Sequence, residues 1–344
     1  VTAGQTSISN TYDSGLSYQG VVAQGAVSIF NSANAATPSV TTAATTQVGQ
    51  MNFIEKINPD DPDAPPQILW TNTGTATPNV PPINGAFYGD FGMNLAYNTG
   101  NGSSGLTNLI AQLNFGPGVI PGFRIHANYT TQNASLQIGL TSLDTNSPTA
   151  RYFHMNLDAG APDGATTPVT DLPFYSQQLF NADIQIQGDG PEVLQSLNVG
   201  MTPDTGANTT LHNTQLSPGS LPEEYDTFID WRNSAENVGQ LKDHLQFTLT
   251  GNTTTGDPFQ IFDFQTNNVI NFGNVAVQNN RPNNSTYYLN TGISLFYQYD
   301  LIYNIADGVV GLDTVPEPSA SGLVLLALGL GYSLRRRQLV GSKT

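Results

Sequence analysis

Hydrophobic and polar residues alternate with a period of two over much of this chain. In residues 123–130, Phe123, Ile125, Ala127 and Tyr129 fall on one side and Arg124, His126, Asn128 and Thr130 on the other, the pattern of a half-buried strand. Leu136, Ile138 and Leu140 repeat it, as do Leu245, Phe247 and Leu249. The longest run places Ile293, Leu295, Tyr297, Tyr299, Leu301, Tyr303 and Ile305 on one face of a single predicted strand.

Turn-forming clusters separate these runs, at 98–105, 115–118, 250–257 and 278–285, rich in Gly, Asn, Asp and Pro. Before the last thirty residues no stretch keeps a helical period for a dozen positions. The prediction is an all-β, antiparallel β-sandwich-like ectodomain over residues 1–311. Residues 32–46 and 58–84 read as linkers or long loops, and the proline-rich stretch 158–173 as a candidate boundary that leaves one or two β units open.

The pattern changes completely after Val315. Pro316 and Pro318 bracket Glu317, fixing an extended segment that joins neither a strand ladder nor a helix interior. An uncharged run of Leu, Val, Ala, Gly and Ser follows from Ser319 to Leu334. As a helix it spans roughly 24 Å, and Tyr332 with snorkelling arginines makes up the difference from the ~30 Å hydrocarbon core. Arg335, Arg336 and Arg337 then form a cytoplasmic stop-transfer cluster. Residues 312–344 are therefore read as a tail holding one transmembrane helix.

Pro316, Glu317, Pro318 and the cluster Arg335, Arg336, Arg337 resemble, position by position, the sorting tail of PEP-CTERM proteins. The resemblance implies recognition by an exosortase-type membrane enzyme of a Gram-negative bacterium, with cleavage near the Pro-Glu-Pro. It also implies association with the cell surface, extracellular polysaccharide or biofilm. Seven residues follow the arginines, more than such tails usually carry. The first residue is Val, which leaves open a removed signal peptide and a truncated chain.

Composition narrows the functions of the body. Charged residues are 10% of the chain, so Asn, Thr, Ser, Gln and Gly carry its solubility. The net charge is −16, and the residues before Val315 hold six basic against twenty-five acidic side chains. Such a field repels phosphate backbones, and nucleic acid is excluded as a partner. With no cysteine, disulfides, thiolate metal sites and cysteine nucleophiles are excluded as well.

Candidate chemistry is sparse. Gly100, Gly102 and Gly105 match a GxGxxG spelling, but no acid lies about twenty residues on and no βαβ context surrounds it, so it reads as a hairpin loop. Asp60, Asp61 and Asp63 could offer oxygens to Ca²⁺, yet their spacing is not that of a calcium loop, and the expectation is no cofactor. Glu223, Glu224, Asp226 and Asp230 beside Trp231 are where a carbohydrate-binding or carbohydrate-active site would be sought, because glycoside hydrolysis needs paired carboxylates near aromatic residues. The bland reading, a solvated loop, is preferred. His126, His154, His212 and His244 lack zinc spacing and read as polar-face residues. The expectation is a non-enzymatic surface or matrix protein, with a carbohydrate-directed module as the alternative.

Overall fold

The computed structural model describes residues 6–11, 16–30, 36–38, 40–57, 65–71, 95–97, 108–128, 133–167, 169–188, 197–212, 228–232, 238–267, 273–278 and 287–314. The described part is mostly β-strand, arranged in several sheets that are largely antiparallel, with few and short helices.

The N-terminal region forms a four-stranded antiparallel sheet of β1 (Ser7–Thr11), β2 (Leu16–Gln24), β5 (Gln47–Lys56) and β6 (Gln67–Thr71), in the order β1-β2-β5-β6. Two short strands, β3 (Ser28–Ile29) and β4 (Val40–Thr41), pair beside it. Ile8, Tyr18, Val21 and Ile54 are its buried apolar residues.

A nine-stranded sheet runs β13-β14-β17-β12-β18-β11-β10-β15-β16. Its strands are β10 (Phe180–Gln187), β11 (Leu197–Thr202), β12 (Thr210–His212), β13 (Ile229–Trp231), β14 (Val238–Leu241), β15 (Gln246–Asn252), β16 (Pro258–Gln265), β17 (Ala276–Gln278) and β18 (Tyr288–Asn290). Two of its pairings, β11 with β18 and β12 with β17, are parallel, a departure from the expected purely antiparallel arrangement. Each joins strands far apart in sequence, as parallel pairing requires. A five-stranded antiparallel sheet runs β8-β7-β19-β20-β9, from β7 (Ile120–Asn128), β8 (Asn133–Leu140), β9 (Ala150–His154), β19 (Tyr299–Asn304) and β20 (Val309–Thr314).

One face of each larger sheet feeds a shared hydrophobic cluster. Ile184, Phe247, Leu249 and Val277 come from the nine-stranded sheet, and Phe123, Phe153, Leu301, Val310 and Leu312 from the five-stranded one. Phe153 stacks on Phe180 with ring centroids 4.7 Å apart, and the buried Tyr299 hydroxyl donates to Ile261 O. Residues on both sides of 158–173 contribute, and Leu172 within that stretch packs against the cluster.

Two details of the predicted strands change. The run from Ile293 to Ile305 is not one strand: a short helix α2 (Gly292–Gln298) precedes β19. Ile293, Phe296 and Tyr297 meet the core at helical spacing, while the alternation of Ile293, Leu295 and Tyr297 fits a strand equally well, so period alone misassigned it. Gly292, at φ +58°, starts the helix, and a Cβ there would lie 2.5 Å from Ala207 O.

The second change is a switch of faces. Ile138 packs toward the main cluster, but Leu140 belongs to a separate small one with Ala150 and Ile302 on the opposite face. The register shifts between Ile120 and Phe123, and Gly139 sits at φ +82°. A bulge of this kind reverses side-chain parity, which sequence alternation across Gly139 does not reveal.

Candidate functional site

The most developed polar cluster lies on the face of the five-stranded sheet opposite the main core. Strand register builds it. Asp300 on β19 and Asp313 on β20 are direct cross-strand partners, and Arg124 on β7 pairs with Ile302, two residues along β19 from Asp300. Their side chains share a face because β-strand positions two apart do.

Arg124 donates from Nε to Asp300 Oδ2 at 3.0 Å, and from one terminal nitrogen to Asp300 at 2.5 Å and Asp313 at 3.1 Å. The other terminal nitrogen lies 3.5 Å from Asp144 Oδ1. Asp144 belongs to a one-turn helix, α1 (Ser142–Thr145), held by a capping box in which Thr141 and Asp144 bond reciprocally. Asp144 also accepts from Gln137 Nε2, and Asp313 from the hydroxyls of Ser147 and Thr149. His126 Nδ1 is 2.6 Å from Asp300 Oδ1, which places the proton on Nδ1 while Asp300 is ionised.

Electrostatics follow from this enclosure. Burial alone disfavours the charged guanidinium, but the hydrogen bond to Asp300 and the charges of Asp300, Asp313 and Asp144 outweigh it and raise the Arg124 pKa. Burial likewise opposes ionisation of Asp144, and the hydrogen bonds from Thr141 and Gln137 with the Arg124 charge overcome it, lowering its pKa. The cluster thus spends its donors and acceptors on itself. It clamps α1 and the 147–149 turn over the sheet, covering the small apolar group of Leu140, Ala150 and Ile302.

The residues singled out from sequence are placed differently. Asp60, Asp61, Asp63, Glu223, Glu224 and Asp226 lie outside the described residues, as do the 100–105 glycines, Pro316, Glu317, Pro318, Arg335, Arg336, Arg337 and the predicted transmembrane helix. Asp230 and Trp231 are adjacent on β13, and they diverge: Asp230 is exposed, whereas Trp231 is half-buried and packs against the main cluster. Among the described residues no group of three or more His, Asp or Glu could hold a metal ion, and no helix is long and apolar enough to cross a membrane.

The aromatic run from Phe259 to Tyr303 supplies core. Phe262, Tyr288, Phe296, Tyr299 and Tyr303 are buried, and Phe259, Phe264, Tyr287 and Tyr297 pack against the cluster. His126 lies on the polar face of its strand as expected, but His212 is buried and stacked on Tyr288 at 4.2 Å, because β12 is interior to the nine-stranded sheet. Asp144, Asp300 and Asp313 belong to no motif or spacing that marks them in the sequence. The available signal was a lone Asp300 inside an otherwise uncharged strand-like run, since an acid there needs a partner.

No curated protein matches the chain. Among solved structures, the crystal structure of aspartic proteinase from Irpex lacteus is similar at 14% identity and a TM-score of 0.44, covering 93% of this chain and 84% of that one. The family model of the PEP-CTERM protein-sorting motif matches residues 314–337, so this chain carries a PEP-CTERM sorting motif, the mark of an exported protein handled by the membrane enzyme exosortase.

Proposed function

We propose that the protein is a non-enzymatic structural or adhesive component of the bacterial cell surface or exopolysaccharide matrix, with a sandwich-like β body delivered by its tail. The sorting motif at 314–337 carries this reading. Supporting it, the described body invests its best-organised charges in an internally bonded clamp, and its aromatic residues between Phe259 and Tyr303 in the core. The body needs no cofactor in this reading, and the partner is polysaccharide met through a surface of amides and hydroxyls. The tail crosses the inner membrane of a Gram-negative cell once, before exosortase processing, with Arg335, Arg336 and Arg337 on the cytoplasmic side.

Fractionation of cells expressing the full chain, and a chain ending at Thr314, tests it. The full chain is expected in membranes before processing and on the surface or in the matrix afterwards, and the shortened chain in the periplasm or medium. A strain lacking the protein should lose matrix cohesion while extracts containing it release no sugar from the polysaccharide. Membrane retention of the shortened chain would contradict the sorting arrangement. Sugar release dependent on Glu223, Glu224, Asp226 or Asp230 would favour the carbohydrate-active alternative.

A further inference from the structure

The five-stranded sheet has two edges that differ sharply. At one, β9 is covered by the β15–β16 turn, where Thr254 N donates to Tyr152 O at 2.7 Å. At the other, β8 is exposed on both faces from Asn133 through Gln137. Half of an edge strand's main-chain groups point away from its neighbour. Among the described residues, the β8 main chain takes one hydrogen bond outside the β7 ladder, from its own Gln137 Nε2 to Gly139 O.

Native edges are blunted by charge, proline or shortness. The other long edge strand, β16, starts at Pro258 and exposes Asp263, and the β13 edge exposes Asp230. The outer strands of the N-terminal sheet, β1 and β6, have five residues each. Strand β8 has eight residues, no charge and no proline, and Leu136 is 42% exposed on it. It is thus a long acid-free edge on a chain of net charge −16, so a second copy pairing along it meets no carboxylate of the strand itself.

The order of residues suits a second copy of the same strand as the occupant. Antiparallel self-pairing about a two-fold axis requires each residue to meet one of the same face. Centred on Leu136, it opposes Leu136 to its own copy, Ala134 to Ile138, and Ser135 to Gln137. Apolar side chains then meet apolar ones on the core-side face, and polar meet polar on the other. We propose that β8 pairs with β8 of a second copy of this chain in this register, joining two five-stranded sheets into one of ten strands. This deepens the matrix-protein reading and rests on it for one point: copies delivered to a common surface meet at high effective concentration, which a modest strand-edge contact needs.

The chain has no cysteine, so single introduced cysteines report on this register without background. In the proposed pairing the two copies of residue 136 are about 5 Å apart, within disulfide reach, whereas the two copies of residue 135 are diagonal neighbours at roughly 7–8 Å. Full-length Leu136→Cys in detergent, with micelles in excess, is expected to cross-link on mild oxidation about tenfold faster than Ser135→Cys, a gap set by reach. Leu136→Lys, which places like charges opposite each other, is expected to abolish the dimer in sedimentation velocity while keeping the parental circular dichroism and a cooperative thermal transition. Equal or absent cross-linking at both positions would overturn the proposal, as would a persistent dimer in folded Leu136→Lys. These readouts use purified protein, so failure here is distinguishable from failure of the sorting reading, which appears in cell fractions.

Discussion

Asp300 and Asp313 sit directly opposite each other on neighbouring strands, and the Arg124 guanidinium donates to both. Like charges at a cross-strand position destabilise a sheet. Here they become an asset because the cation lies over the pair. Both acids are mostly buried, with side-chain exposures of 10% and 8%, so water does little to screen them if the cation is removed.

Arg124→Met therefore should destabilise the protein by more than its lost packing. Two facing carboxylates would be left under-compensated, and the expected loss is about 2–4 kcal/mol, in line with breaking a buried ion pair. Urea unfolding monitored by tryptophan fluorescence measures it. Asp300→Asn in the Arg124→Met background should recover part of the loss, since it removes one of the repelling charges; additive destabilisation would show that the two acids are not coupled through Arg124.

Acid sensitivity follows from Asp144. Its pKa is lowered in the folded protein from an ordinary 3.8, so the folded state holds the ionised form more tightly than the unfolded chain does. That contribution is fully present above about pH 5, shrinks as pH falls through 3.8 and is gone below the folded-state pKa. Denaturant melts between pH 6 and 2 should show Asp144→Asn to be less stable at pH 6, with the gap to the parent closing toward pH 2. A gap independent of pH would assign the residue a packing role alone.

Gly292→Ala tests the helix that replaced the predicted strand. The backbone at φ +58° disfavours any Cβ, and the new atom would approach Ala207 O at 2.5 Å. A loss of about 2–3 kcal/mol is expected, since backbone strain and steric overlap add. By contrast, Gly164→Ala, at φ +73° with nothing within 4 Å of the added atom, should cost about 1 kcal/mol. Thermal unfolding of the two variants side by side separates close approach from conformational strain.

Much of the architecture was legible in the residue pattern. Alternation placed Phe123, Ile125, Phe247 and Leu249 on core faces because a strand exposes and buries successive side chains whatever its partners are. It failed where two periods coincide over few residues, as at Ile293 to Tyr297. It failed again where one backbone irregularity, at Gly139, moved Leu140 to the other face.

By itself the sequence determined the sorting motif, the β-rich body and the exclusion of cysteine chemistry, because each is a matter of local order or composition that needs no folding to be read. Only the tertiary structure decided what the body's charges do. Arg124 meets Asp300 and Asp313 across 176 and 189 residues of chain, and Asp144 reaches it from a single helical turn. Such a meeting is set by which strands become neighbours and in what register, a choice made by the burial of whole faces, and it leaves no trace in the spacing of the residues that take part.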